Sequence, residues 1–428
     1  MSDALPLPPR PNLEQYKKLA RDLQGACKSS DPAAIGQWAA RWAETLARLR
    51  GQPIDAAQIE RRWRKLKANC ALTSAQFFIA REHGFANWTK FARHVEQLAR
   101  AHSPVSAFEA AADAIVDGDA ATLRQLLAEH PGLALERSTR EHRSALLHYV
   151  SANGIEDYRQ KTPPNIVEIA NLLLDAGAEV DAESDAYGGG CTTLGLVATS
   201  VHPEKAGVQI ALLQTLLDRG ARLDHPSSAG NRHSVVRGCI ANGQPAAARF
   251  LADLGAPLNA ESAAAVGRLD VLQNYFDDRG ALRPGIDRKE VESGLLYACG
   301  YGRLETAMFL LDRGIDPSTR DADGQTALHW AAWTPQVTSI RLLLERGATI
   351  DAKDFRYHAT PLDTVLWTWN KTSESPRDNC YQAIALLARA GAKLDRDHWR
   401  DPGKESSTML DKIDSDPRML AALRGDMP

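Results

Sequence analysis

Apolar residues recur along this chain in short blocks, each closed by a glycine and followed by a brief mixed stretch. The clearest are LLLDAGAEVDA (172–182), LLDRGARLDH (216–225), FLADLGAPLNA (250–260), FLLDRGIDPST (309–319), LLLERGATIDA (342–352) and LLARAGAKLDR (386–396). Each block predicts the end of an amphipathic helix. Glycine suits that place because it enters the left-handed region without Cβ strain and lets the last carbonyls find partners. The most complete unit runs from Ala322 to Asp354, a period of about 33 residues. A turn at Ala322-Asp323-Gly324 leads into a helix from Thr326, a break at Thr334-Pro335, and a second helix ending at Gly347. One such helix pair cannot bury its apolar face alone, so several must stack. About eight units are expected, starting near Ser106, Thr139, Asp185, Gly230, Ser262, Arg288, Asp321 and Phe355. The unit at Thr139 carries an insertion, Glu156 to Asn165, the one at Phe355 carries Lys371 to Asp378, and the one at Ser262 has no room for a leading hairpin.

Upstream, residues 12 to about 101 keep the helical period without the repeat. Leu13, Tyr16, Leu19, Ala20 and Leu23 share one face, and Trp38, Trp42 and Leu46 another; Phe77, Phe78 and Ala80 precede Gly84, and Trp88, Phe91 and Val95 follow it. Four or five helices are expected. The leading LPLPPRP predicts a stiff, mostly disordered arm, with a polyproline helix that binds an aromatic groove as the alternative.

TALHWAA (326–332) followed by LLLERGATIDA resembles an ankyrin repeat, and TPL (360–362) and LLH (146–148) repeat its helix opening. The resemblance implies an all-α fold: an ankyrin-repeat solenoid of helix pairs with short hairpin loops, preceded by a small helical domain. The expected layout is an arm at 1–11, the helical domain at 12–103, the repeats at 104–400 and a C-terminal cap at 401–428. The opening LPPRPNLEQYKKLARDL and the stretch LTSAQFFIAREHGFANWTKFARHVEQL resemble the N-terminal segment of a group of bacterial ankyrin-repeat proteins. Gln76, Ala80 and Gly84 also have a spacing similar to a helix-turn-helix, but Lys90 stands where that motif buries an apolar residue.

The ankyrin resemblance also implies a binding face, because hairpin tips and first-helix ends of successive units line one concave surface. Carried over unit by unit, it selects Asp323, Gln325, Trp333 and Thr334, then Arg356, Tyr357, Trp367 and Thr368. In the weaker units Asn153, Thr199, Ser200, Asn242 and Tyr301 take the equivalent places. Rings beside hydroxyls and amides suit a partner surface, since flat rings supply area at little entropy cost. His148 and His329 fall where ankyrin repeats use histidine to bond neighbouring backbone, and Trp330 falls where the family packs its core. Trp333, Trp367 and Trp369 exceed what the next helix can cover in the expected register.

Composition narrows the alternatives. The 428 residues are 44% hydrophobic and 25% charged, with 30 Gly and 22 Pro, which excludes collagen-like, disordered and disulfide-scaffold classes. No apolar run reaches the roughly 18 residues of a membrane span, and the N-terminus lacks the order of a secretory signal; a cytoplasmic protein is expected. Cys27, Cys70, Cys191, Cys239, Cys299 and Cys380 include no CxxC pair, which suits a reducing compartment and offers no zinc template. There is no GxxxxGK, HExxH, GxSxG or EF-hand spacing, and Gly188-Gly189-Gly190-Cys191-Thr192-Thr193 lacks a phosphate-binding lysine and sits where a hairpin belongs. No cofactor or metal is expected.

Three functions follow. The first is binding of another protein on the concave face, with Trp333, Trp367 and Tyr301 as anchors. The second is a small-molecule enzyme of proton-transfer or lyase type with a mid-array pocket. There His148 would be the acid or base, Arg237 an anion clamp, and Tyr149 or Tyr297 a proton donor. The third is nucleic-acid binding through the basic N-terminal domain, where about 17 basic and 9 acidic residues precede Pro104 and Arg61, Arg62, Arg64, Lys65 and Lys67 would contact phosphates. Against it, RRWRKLK reads as the exposed face of a helix that buries Trp63.

Overall fold

Side-chain caps and apolar spacing determine where the first helices begin and what they bury. Helix Leu13–Lys28 starts on Asn12, whose side chain accepts from the Glu14 amide, and it buries Tyr16, Ala20 and Leu23 along one stripe. Helices Ala34–Arg50, Ala56–Lys65, Leu72–Glu82 and Trp88–Leu98 follow. Their shared core is aromatic: Tyr16 meets Phe91 edge-on at 5.1 Å and Trp63 meets Phe78 at 5.3 Å. Trp38 is 1% exposed, and its indole donates to the Leu19 carbonyl, so the buried ring keeps its polar atom satisfied. The computed structural model describes residues 4–50, 53–66, 69–225, 234–371, 377–399 and 407–426. Lys67, the repeat start at Gly230, the middle of the 371–378 insertion and the cap boundary at Asp401 lie outside the described residues.

Two expectations for this region are corrected. The arm is docked rather than disordered: the Leu5 amide donates to the Glu82 carbonyl, the Leu5 carbonyl meets His83 Nδ1 at 2.8 Å, and Leu5 itself is buried in the aromatic core. Cys27 and Cys70 are joined by a disulfide with their Cα atoms 5.5 Å apart. No spacing rule pairs residues 43 apart in sequence; the antiparallel course of the helices brings them together. The helix-turn-helix likeness ends at Lys90, which is exposed.

The chain forms two compact units, residues 1–247 and 248–428. In the first, helix Pro104–Asp117 and helix Ala120–Glu129 make a pair joined at Gly118, whose φ is 79°. The next pair is a 3-10 helix, Leu146–Ser151, ended by Ala152 at φ 49°, with helix Ile166–Asp175. Short strands Glu183–Ser184 and Cys191–Thr192 pair antiparallel around the three glycines, and helices Thr193–Ala198, Val201–Lys205 and Gln209–Asp218 follow.

In the second unit the first helices of successive pairs are Ala260–Val266, Arg288–Gly300, Ala327–Trp333 and Pro361–Lys371. Their partners are Leu269–Gln273, Leu304–Asp312, Val337–Glu345 and Arg377–Arg389. Small residues bring neighbours close: a Cβ on Gly294 would lie 3.1 Å from the Ala264 Cβ. Leu295, Leu310, Leu328, Ile340, Val365 and Ile384 form one continuous core through the stack, and helices Ser407–Ser415 and Pro417–Leu423 close its end. The whole is an all-α repeat fold behind a distinct helical domain.

Candidate functional site

The second unit holds a cavity of 620 Å³ between the hairpins and first helices of its last repeats. Helix Ala327–Trp333 supplies Trp330 and Trp333 to its lining, and helix Pro361–Lys371 supplies Thr364, Trp367, Asn370 and Lys371. Asp323 and Gln325 come from one hairpin, Asp354, Arg356 and Tyr357 from the next, and His398 and Trp399 from the one after. Of the residues picked from the sequence, the fold therefore brings Asp323, Gln325, Trp333, Arg356, Tyr357 and Trp367 into one place. Trp333 and Trp367 stack with centroids 4.9 Å apart and planes 18° from parallel, yet they remain 51% and 40% exposed.

The hairpins that carry these groups are held by their own polar atoms. The Asp354 carboxylate accepts from the Arg356 and Tyr357 amides at 2.9 and 2.6 Å, so the tip projects Tyr357 at 60% exposure. Gly324, at φ 77°, lies under the Phe355 ring, and a Cβ there would come within 2.7 Å of it. Asp363 stands where the preceding repeat has His329; it accepts from Thr360 and from the Trp399 indole at 2.9 Å. His329 bonds Thr326 and the Ala359 carbonyl and is structural, as expected. Trp330 is only partly buried and donates to Asp321 at 3.0 Å. Trp369 is covered after all and donates to the Tyr381 hydroxyl, because the turn of the longer helix carries it inward.

Thr334 and Thr368 serve the backbone between repeats: Thr334 Oγ1 donates to the Gly300 carbonyl, and Thr368 Oγ1 to the carbonyls of Trp333 and Thr364. Tyr301 stacks on Tyr297, whose ring meets Trp330 at 4.7 Å. In the first unit, Asn153 donates to Leu196 and Thr199 and accepts from the Tyr187 hydroxyl at 2.6 Å. Asn242 is exposed at a helix end, and Arg237 is partly buried. Ser200 is a correction: it is 2% exposed and caps helix Val201–Lys205, so it offers a partner nothing.

Two of the four residues named for chemistry, His148 and Tyr149, are committed to the fold. His148 is fully buried; Nδ1 meets the Ala145 amide at 3.1 Å and Nε2 the Ala182 carbonyl at 2.9 Å. Burial pushes its pKa down to about 4, and with both nitrogens held it has no face for a substrate. Tyr149, also fully buried, donates to Glu156 at 3.2 Å, and burial first, then the Glu156 charge, raises its pKa well above the ordinary value.

Beside Tyr149 lies an ionic cluster with no sequence motif. Arg140, 1% exposed, bonds Glu109 and Glu156, and Arg159 bonds Glu109, Glu156 and Asp113. Burial alone would raise Glu109, but the two guanidinium groups outweigh it and hold the carboxyl at about 2; the same balance keeps Glu156 well below its usual range. The hairpin that carries Arg140 also binds the helical domain: Thr139 meets His94 Nδ1 at 2.7 Å, and the Glu141 amide donates to the Gly84 carbonyl. The signal in the sequence was a pair of acids one turn apart, Glu109 and Asp113, in the mostly apolar FEAAADAIV. Three arginines of the basic helix have acidic partners: Arg61 pairs with Asp55, Arg62 with Glu82 and Arg64 with Glu60, while Trp63 is buried. Among the described residues no group of three or more His, Cys, Asp or Glu is placed to hold a metal, and no helix is long and apolar enough to cross a membrane.

Comparison with known proteins places the repeat class. Residues 260–354 match the family described as ankyrin repeats, in three copies, so the chain contains ankyrin repeats behind its helical domain. Over 86 residues it is 38% identical to Serine/threonine-protein kinase 12 of Arabidopsis thaliana, covering 20% of this chain and 18% of that protein. It is 35% identical over 98 residues to Palmitoyltransferase Hip14 of Drosophila melanogaster, covering 23% and 14%. Protein PhlB of Serratia liquefaciens is 30% identical over 103 residues, covering 22% and 45%. The chain thus spans less than half the length of each of these relatives.

Proposed function

We propose that the chain is a binding protein whose repeats hold a segment of another protein where helix ends and hairpin tips meet. The observation that carries this reading is the stacked, half-exposed pair Trp333 and Trp367 at the mouth of a 620 Å³ cavity. Stacked repeats offer extended surfaces to partners, and binding hot spots are enriched in Trp and Tyr. Tyr357, at 60% exposure, adds a third ring to the same rim. Chemistry at His148 is less favoured because backbone groups hold both of its nitrogens. Nucleic-acid binding is less favoured because Arg61, Arg62 and Arg64 already have acidic partners.

The test is quantitative capture from the host lysate by the full chain and by its Trp333→Ala and Trp367→Ala variants, with folding checked by thermal melting. A partner of this site is retained by the parent chain and lost from both variants, with affinity falling by at least about 2 kcal/mol. Equal retention of every captured protein by folded variants defeats the reading.

A further inference from the structure

Two successive hairpins of the second unit close in the same way. The Asp321 amide donates to the Gln325 carbonyl and the Asp354 amide to the Ala359 carbonyl, with one more residue in the second loop. In each, one carboxylate oxygen caps the turn. Asp321 Oδ1 accepts from the Asp323 and Gln325 amides at 3.0 and 2.8 Å, and Asp354 Oδ1 from those of Arg356 and Tyr357 at 2.9 and 2.6 Å. The second oxygens differ. Asp321 Oδ2 accepts from the Trp330 indole at 3.0 Å, whereas Asp354 Oδ2 takes no donor among the described residues. The sequence supplies the reason. Trp330 stands four residues after the helix opening at Thr326, and the same place after Thr360 is Thr364. Thr364 is shorter than an indole, and its hydroxyl is used on the Thr360 carbonyl.

Asp354 and Thr364, the counterparts of Asp321 and Trp330, both line the 620 Å³ cavity, and Asp354 is only 2% exposed. A buried carboxylate oxygen without a donor weakens the fold, and a ligand that brings an N–H recovers that loss. The surroundings select the kind of donor. Trp330, Trp333, Trp367 and Trp399 wall the cavity, which suits a flat apolar ring. Arg356 and Lys371 lie over the rings of Tyr357 and Trp367, 5.2 and 5.7 Å from their centroids, so a cationic ligand meets like charge there, and a neutral donor does not. The two neighbouring carboxylates that are satisfied, Asp321 and Asp363, each take a neutral indole N–H, from Trp330 at 3.0 Å and from Trp399 at 2.9 Å.

We infer that the cavity receives a tryptophan side chain of a partner protein. Its ring takes the place that Trp330 fills one repeat earlier, and its indole N–H donates to Asp354 Oδ2. This rests on the docking reading above and names the side chain that docks.

The test is selection of phage-displayed random dodecapeptides on the full chain, followed by affinity measurement with labelled copies of the enriched peptides. Tryptophan is expected at one shared position. Replacing it by phenylalanine in the peptide, which keeps a ring and removes the donor, should weaken binding roughly ten- to a hundred-fold, the range for a hydrogen bond to a charged group. Asp354→Asn, which keeps an oxygen for the Arg356 and Tyr357 amides and turns an amide NH2 towards the ligand, should weaken the tryptophan peptide by a similar factor. On that variant the phenylalanine peptide should bind no worse than the tryptophan one. Thr364→Trp, which supplies the ring from the chain itself, should abolish binding while the chain still melts cooperatively. Enriched peptides without tryptophan, arginine-bearing ones included, overturn this inference, and so do tryptophan peptides indifferent to folded Asp354→Asn or Thr364→Trp. Where such peptides are still weakened by Trp333→Ala, the docking site stands. Peptides indifferent to Trp333→Ala, Trp367→Ala and Asp354→Asn, with all three variants folded, overturn both, and absence of any enrichment overturns the tryptophan assignment.

Discussion

The two units of this chain treat polar and aromatic residues in opposite ways. The first buries charge: Glu109, Arg140, Glu156 and Arg159 are all at most 6% exposed, and most of the rings of its helical domain are packed in one core, although Tyr187 is 67% exposed. The second has a conventional apolar core and displays rings instead, with Trp333, Tyr357 and Trp367 at 40–60% exposure. The difference separates polar groups committed to packing from rings left at the surface. The hairpin that carries the buried Arg140 meets the helical domain through Thr139 and the Glu141 amide, whereas exposed flat rings supply contact area at little entropy cost.

The contrast is sharpest at Arg140. Removing one member of a buried charge cluster leaves its partners uncompensated, so Arg140→Ala should destabilise the first unit by roughly 3–5 kcal/mol. Segment-resolved hydrogen exchange should report the loss in residues 1–247 and little in 248–428. Next comes the disulfide. Closing a 43-residue separation removes unfolded-state entropy worth up to about 4 kcal/mol, so Cys27→Ser should lower denaturant resistance of the first unit alone. A value near zero would mean that packing of the aromatic core already fixes these helices.

Acid should separate the units as well. Burial pushes His83 down to about 3 and His94 and His148 down to about 4. The unfolded histidines take up protons near 6.5. The unfolded state therefore binds more protons between about pH 6.5 and 4, and stability of the first unit falls as pH drops through that window. Glu109, still ionised in the fold down to about 2, adds a further loss below the ordinary carboxylate value, since the unfolded carboxyl protonates first. His329 in the second unit shifts in the same direction, so that unit should lose stability less steeply; melting curves between pH 7 and 4 check the order. The smallest expected effect is Trp333→Ala on folding. A half-exposed ring should cost no more than about 1 kcal/mol, and a larger loss would mark Trp333 as a core residue rather than a binding group.

Much of the second unit was legible because its signals are local. Glycine after an apolar block marks a helix end wherever it occurs, and the Thr326–His329 opening positions its helix by a bond of three-residue span. Repeat register then carried Asp323, Gln325, Trp333, Tyr357 and Trp367 to neighbouring positions. It could not foresee Trp399 and His398 from the next hairpin, nor that Thr334 and Thr368 would turn to backbone carbonyls. The first unit was harder to read, since its determining contacts join distant residues. Arg140 reaches Glu109 across 31 positions and Cys27 reaches Cys70 across 43, and nothing at either end announces the other.

The sequence by itself determined the class of architecture: all-helical, repetitive, with ankyrin-type pairs and a helical domain ahead of them. Periodicity, caps and glycines act within a few residues, and that is the range over which sequence can be read directly. Tertiary structure alone decided which of these side chains are committed to the fold and which stay exposed. It sealed His148, Tyr149 and Ser200 inside, paired Arg62 of the basic helix with Glu82, and left Trp333 and Trp367 half-exposed. Those outcomes depend on which surfaces meet after the helices have formed, and burial is a property of the packed assembly rather than of any residue in its chain.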